Sequence, residues 1–120
     1  MTGPRMQHVW RILLIAATIF AVMMALLPHP PGVAEVGDKY QHMLAFGTLT
    51  ILYALAFPTT PLLRIGERLS FLGALIEVLQ SIPSLHRDCD IHDWIADTLA
   101  ITVVLLIVWA VRRQRGARLP

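Results

Sequence analysis

Charge is scarce in this chain of 120 residues. Asp, Glu, Lys and Arg make up 15% of it, against about 25% in an ordinary soluble domain. Cysteine occurs once, as Cys89, which excludes an internal disulfide. Repeats and low-complexity tracts are missing as well, and the length fits one domain. What fills the chain instead is apolar: 56% of residues are hydrophobic, against about 45–50% in soluble proteins. A soluble fold this small must keep much of its surface in water and has too little interior for that load. A bilayer accepts an apolar exterior, so the composition predicts an integral membrane protein.

Four apolar segments follow one another: Val9–Leu27 interrupted by Arg11, Met43–Phe57 without charge, Leu69–Ile82 with Glu77 and Gln80, and Trp94–Val111 with Asp97. A span needs about 20 residues at 1.5 Å rise each, so the flanks must supply the missing turns. Thr60-Pro61 reads as an N-cap with proline at the first helical position. Asp90 reads as the cap of the last helix. Pro28, Pro30, Pro31 and Pro58 close the first two helices. The expected architecture is an all-α bundle of four transmembrane helices over 9–27, 38–57, 61–82 and 91–113.

The net charge is only +2, and its distribution matters more than its size. With four spans, Arg5, Arg11, Arg64, Arg68, Arg112, Arg113, Arg115 and Arg118 fall on one side, and Lys39 and Arg87 on the other. Basic residues mark the cytoplasmic side, so both termini are expected inside. Glu35, Asp38, Asp88, Asp90 and Asp93 then lie outside, with Glu67 inside. Trp10 and Trp109 are expected near the inner interface, Tyr40 and Trp94 near the outer. The first segment could be a cleaved signal peptide, but Leu26-Leu27-Pro28-His29 is a poor cleavage site, and retention is expected.

Polar residues collect at the outer ends of the last three helices. Asp38 and His42 share a helical face, as do Glu77 and Gln80, and Asp93 and Asp97. From the helical rise, His42 lies about 6 Å inward of Asp38, Asp97 about 6 Å inward of Asp93, and Glu77 about 9 Å below Pro83. His42, Glu77 and Asp97 are therefore expected in one layer. Such groups are costly against lipid and should face each other or a wet pocket. Together with Lys39 and Arg87, the outward cations, Asp38, His42, Glu77, Gln80, Asp93 and Asp97 form the candidate binding cluster. Gln80 alone reads more simply as a hydrogen-bonding tie between helices, and Asp38 and Asp93 serve equally well as helix-start caps. The spacing His86-x-x-Cys89-x-x-His92 suits zinc or copper in its donor types but matches no closed site. Neither metal nor cofactor is expected. The arginines over 112–118 read as a stop-transfer run against headgroups, not as a nucleic-acid contact.

The ordered set Asp38-Lys39-x-x-His42, Glu77-x-x-Gln80, Arg87 and Asp93-Trp94-x-x-Asp97 resembles the VanZ-like family of small bacterial membrane proteins, over about 37–100. Phe46 stands where that family usually has tyrosine, Asp97 where it often has asparagine, and Ala100 where glycine is common. The resemblance implies a multi-pass protein of the bacterial inner membrane with a cell-envelope role. Its founding member is associated with resistance to the glycopeptide teicoplanin. Three classes of function follow. A non-catalytic protein would bind a lipid headgroup, a cell-wall precursor or a glycopeptide at the outer cluster. An enzyme on a lipid-linked substrate would use His42 and Glu77 as base and acid, with Lys39 and Arg87 holding phosphate; no nucleophile motif accompanies them. A small proton-coupled transporter would place its carboxylate at mid-membrane, in helix 1 more often than not, and helix 1 here has none. The first is the expected class.

Overall fold

Proline opens the first helix. In a computed structural model, which describes residues 3–27, 35–82 and 91–118 (side chains excepted at 35–39 and 117–118), α1 runs Pro4–Leu26 with Gly3 as its N-cap. Pro4 suits the first turn because the N–H it lacks would have had no helical partner. The helix begins earlier than the apolar run because Arg5, Met6 and Gln7 are good helix formers despite their polarity. It ends where Leu27 turns extended (φ −70°, ψ 141°), as a residue before proline prefers.

Next come α2, Glu35–Ala56, α3, Leu62–Gln80, and α4, Ile91–Arg118. Asp38 thus lies inside α2, one turn in, and not at its cap. The expected cap at Thr60 is also displaced: Pro61 is the N-cap, with ψ 137° and no side-chain hydrogen bond, and the first helical residue is Leu62. Asp90 lies outside the described residues. At its far end α4 continues beyond residue 113 through Arg115 and Gly116 to Arg118, since Arg, Gln and Ala sustain a helix without apolar periodicity.

The described residues are thus all-α, with no strand. Of the four helices, α1 and α4 are long and apolar enough to cross a membrane. Among the described residues the other two are not long, apolar and charge-poor enough together; α3 carries Arg64, Glu67, Arg68 and Glu77.

Side-chain hydrogen bonds fix the directions. Arg11 near the start of α1 donates from Nε to the Ala56 carbonyl at the end of α2 (3.1 Å). Arg68 in the early half of α3 donates to the Tyr53 hydroxyl late in α2 (2.6 Å). Gln80 at the end of α3 donates to the Ala25 carbonyl at the end of α1 (2.7 Å). Arg112 late in α4 donates to the Ala54 carbonyl (3.1 Å). The helices therefore alternate in direction, with α1 and α3 parallel to each other and antiparallel to α2 and α4. Leu49, Ile65, Leu69, Ile76 and Ile101 are buried in the seam. One end of the bundle carries the arginines of α1, α3 and α4. The other carries His42, Glu77, Asp93 and Asp97.

Candidate functional site

The polar end is built from one face of α3. Gly66, Ser70, Gly73, Glu77 and Gln80 recur at intervals of four, three, four and three residues, and so form a single helical stripe. Against it lies α4. Ser70 Oγ and Thr98 Oγ1 are 3.0 Å apart and share a hydrogen bond. Trp94 donates its indole N–H to the Ser70 carbonyl (3.0 Å). A Cβ added at Gly73 would lie 3.5 Å from each of Asp97 Oδ2, Phe46 Cζ and Trp94 Cδ1. Gly73 is therefore where α3 lets α2 and α4 close over the carboxylate. A larger side chain at this position would occupy the space of Asp97.

Opposite, α2 supplies His42. Its Nδ1 lies 3.8 Å from Asp97 Oδ2, an ion pair whenever the imidazole is protonated. Asp97 is 1% exposed and Glu77 6%; His42 and Asp93 are buried as well. Burying a charge of this kind costs several kcal/mol unless partners compensate it. Glu77 is buried in the bundle one helical turn after Gly73, where an added Cβ would come into contact with Asp97. The structure thus brings His42 and Asp97 into contact and buries Glu77 in the same region, on three helices.

Gln80 has a different role. Its amide N–H reaches α1 at Ala25, and its Oε1 has no hydrogen-bond partner among the described residues. It ties α3 to α1 at the polar end. Asp93 is buried in the first turn of α4, so it is not the exposed cap it could have been. Trp94, half-buried near the head of α4, packs against α3 and spends its N–H on the Ser70 carbonyl.

The remaining candidates are not placed in this way. Asp38 and Lys39 belong to α2 by backbone, but their side chains lie outside the described residues, as does Arg87. Of the His86, Cys89 and His92 spacing only His92 is described, exposed at the head of α4. Among the described residues no group of three His, Cys, Asp or Glu is set to hold a metal.

Ser70, Gly73 and Thr98 were absent from the sequence-derived cluster. The small-residue stripe of α3 was the available signal, since small residues allow the close approach that buried polar side chains need. Chemically, the arrangement is a buried acidic layer with one imidazole, able to hold a proton or to orient a cationic or hydrogen-bonding group. The Ser70 and Thr98 hydroxyls close to it are hydrogen-bonded to each other. Searches of protein-family models, of curated proteins and of solved structures found no match to the chain.

Proposed function

We propose that the chain is a four-span protein of the bacterial inner membrane, N-in and C-in, with a VanZ-like envelope role. In this reading its outward polar cluster binds a lipid headgroup, cell-wall precursor or glycopeptide without turning it over. The observation that carries this reading is the buried layer of His42, Glu77 and Asp97 at the end of the bundle opposite the arginines. Positive charge at one end supports a cytoplasmic position for that end, which leaves the buried carboxylates facing the outside. An ionisable group inside a membrane bundle is a functional candidate by default because architecture can be had more cheaply from apolar side chains.

The exterior supports the membrane. In the most apolar windows of α1 and α4 only 11% and 17% of residues are buried, the reverse of a core helix in a soluble protein. Ile12, Phe20, Leu44, Leu63 and Phe71 are among the large side chains left bare. Exposed hydroxyls are satisfied within their own helices: Thr48 donates to the Leu44 carbonyl (2.8 Å) and Thr102 to that of Thr98 (2.8 Å), as lipid exposure demands. Retention of α1 is supported by its ties to α2 at Arg11 and to α3 at Gln80.

The test combines topology with activity. Reporter fusions after Ala34 and Ser84 are expected to read outside, and fusions after Thr60 and Pro120 inside. Arg87→Ala and Glu77→Gln are expected to accumulate normally in the membrane yet lose glycopeptide tolerance or ligand retention. Full activity in both variants at normal membrane level would make the cluster architectural. An extracytoplasmic C-terminus would turn the cluster to the cytoplasm and end the envelope reading.

A further inference from the structure

The bare faces of the helices differ in one respect. Those of α1 (Ile12, Ile15, Ile19) and α4 (Ile95, Leu99, Leu106) carry no charge along their spans. That of α3 does. Among the described side chains Glu67 is the only exposed carboxylate; Glu77, Asp93 and Asp97 are all buried. Arg64, one turn earlier on the same face, is exposed too. Neither side chain makes an ion pair or hydrogen bond among the described residues. Basic before acidic is the poorer order for a pair within one helix, so both charges are left to an outside partner.

Apolar side chains continue this face. Arg64, Phe71 and Val78 are seven residues apart, with Glu67 and Ala74 alternating between them. The five positions thus follow the 3.5-residue spacing of a seam between two helices. Phe71 and Val78 are 70% and 64% exposed, and Leu63 on the flank is 75% exposed. Ala74 in the middle is small enough to let a second backbone approach. Glu67 stands between bare Leu63 and Phe71, one turn to either side, where an ionised carboxylate gains from a cation that excludes lipid. A helix meeting lipid alone gains nothing from this spacing or from opposite charges on its outer face.

We infer that this face of α3 docks on α3 of a second copy of the chain. The two helices run parallel about a two-fold axis along the membrane normal, with Glu67 of each copy paired to Arg64 of the other. The charge pattern selects this occupant. Two copies inserted the same way present equal residues at equal depth. The offset of about 4.5 Å between Arg64 and Glu67 therefore recurs across the seam in both directions, and one patch serves as both halves of a closed interface. A lipid headgroup of one sign would satisfy one charge and be repelled by the other. A zwitterionic headgroup answers both charges but leaves the seven-residue spacing of Phe71 and Val78 without a cause.

This inference rests on the membrane reading above, and its failure is separable from the failure of that reading. The full chain with Cys89→Ser, labelled at its C-terminus, is reconstituted in phosphatidylethanolamine–phosphatidylglycerol vesicles over a range of protein-to-lipid ratios. Single-molecule photobleaching then counts copies. The dimer fraction is expected to rise to saturation with density. Glu67→Arg and Arg64→Glu are each expected to weaken dimerisation about tenfold, and both together in one chain to restore it, because reciprocity survives the exchange. Both side chains are exposed, so thermal unfolding of the monomer is expected to stay unchanged. Oxidation is expected to trap a dimer of Ala74→Cys and none of Ile15→Cys, which lies on the bare face of α1. Chains monomeric at every density, single charge variants without effect, an exchange that fails to restore the dimer, or trapping through Ile15→Cys would each overturn the seam and leave the membrane reading standing. Recovery of the chain in the soluble fraction would overturn both.

Discussion

The two ends of the bundle handle charge in opposite ways. At the arginine end the cations are used on backbone. The last carbonyls of α2 have no helical partners of their own, and three of the four are met: Tyr53 by the Phe57 N–H (3.0 Å), Ala54 by Arg112 and Ala56 by Arg11. Arg11 also lies 4.5 Å from the centre of the Phe57 ring. Guanidinium groups at a helix C-terminus gain from its negative dipole as well, and they keep access to the surface. At the polar end the charges are carboxylates and they are buried, Asp97 almost completely. The first arrangement repairs what a helix end leaves open. The second creates a cost that the helices alone did not require. A bundle needing only cohesion would keep the first and discard the second, so the contrast separates architecture from candidate function.

That contrast breaks most sharply at Asp97. Asp97→Ala is expected to destabilise the bundle by about 3 kcal/mol, since it opens a hole beside Gly73 and takes away the group facing His42. The double variant His42→Leu with Asp97→Leu is expected to regain much of that stability while staying inactive, because apolar pairs often replace buried ionic ones without loss. Thermal unfolding in detergent beside an activity assay reads both. If the double variant were both stable and active, the polar end would be no different in kind from the arginine end.

A smaller effect is expected at Arg11. Arg11→Ala uncaps the Ala56 carbonyl and removes the stack on Phe57, a loss of about 1–2 kcal/mol. Arg11→Lys is not expected to restore it, since an ammonium lacks the planar group that stacks and bonds together. Activity per folded molecule should be unchanged in both; a fall at constant fold would extend the functional site to this end.

Smallest is Gln80→Leu, which cuts the tie to Ala25 and is expected to cost about 1 kcal/mol of assembly. Loss of activity without loss of assembly would move Gln80 from the architectural group into the site.

Some of this could be read along the chain. Helix content, the apolar exterior and the separation of arginines from carboxylates are linear properties, fixed by hydropathy, length and the alternation of four segments. The meeting of His42 and Asp97 was legible too, because rise per residue is constant and the two lie seven and six residues from the starts of α2 and α4. Helix ends were less legible. Polar helix formers such as Arg5, Gln7 and Gln114 extend helices beyond the apolar run, and nothing local decides whether Thr60 or Pro61 is the cap.

The sequence by itself determined that these helices form, which stripe of α3 is small and polar, and which end collects positive charge, since each follows from residue type and the 3.6-residue period. Only the tertiary structure decided how those groups are used. Arg11 and Arg112 look alike as topology signals, yet both are placed on the carbonyls of α2 by helices that pack against its end. Gln80 and Glu77 share one face, yet one reaches α1 while the other is buried with the acidic layer. Trp94 reads along the chain only as an aromatic near a helix start, and the fit of α4 against α3 gives its N–H the Ser70 carbonyl. Partner choice among side chains depends on which helices become neighbours and in what register, and that is a property of packing, not of any one segment.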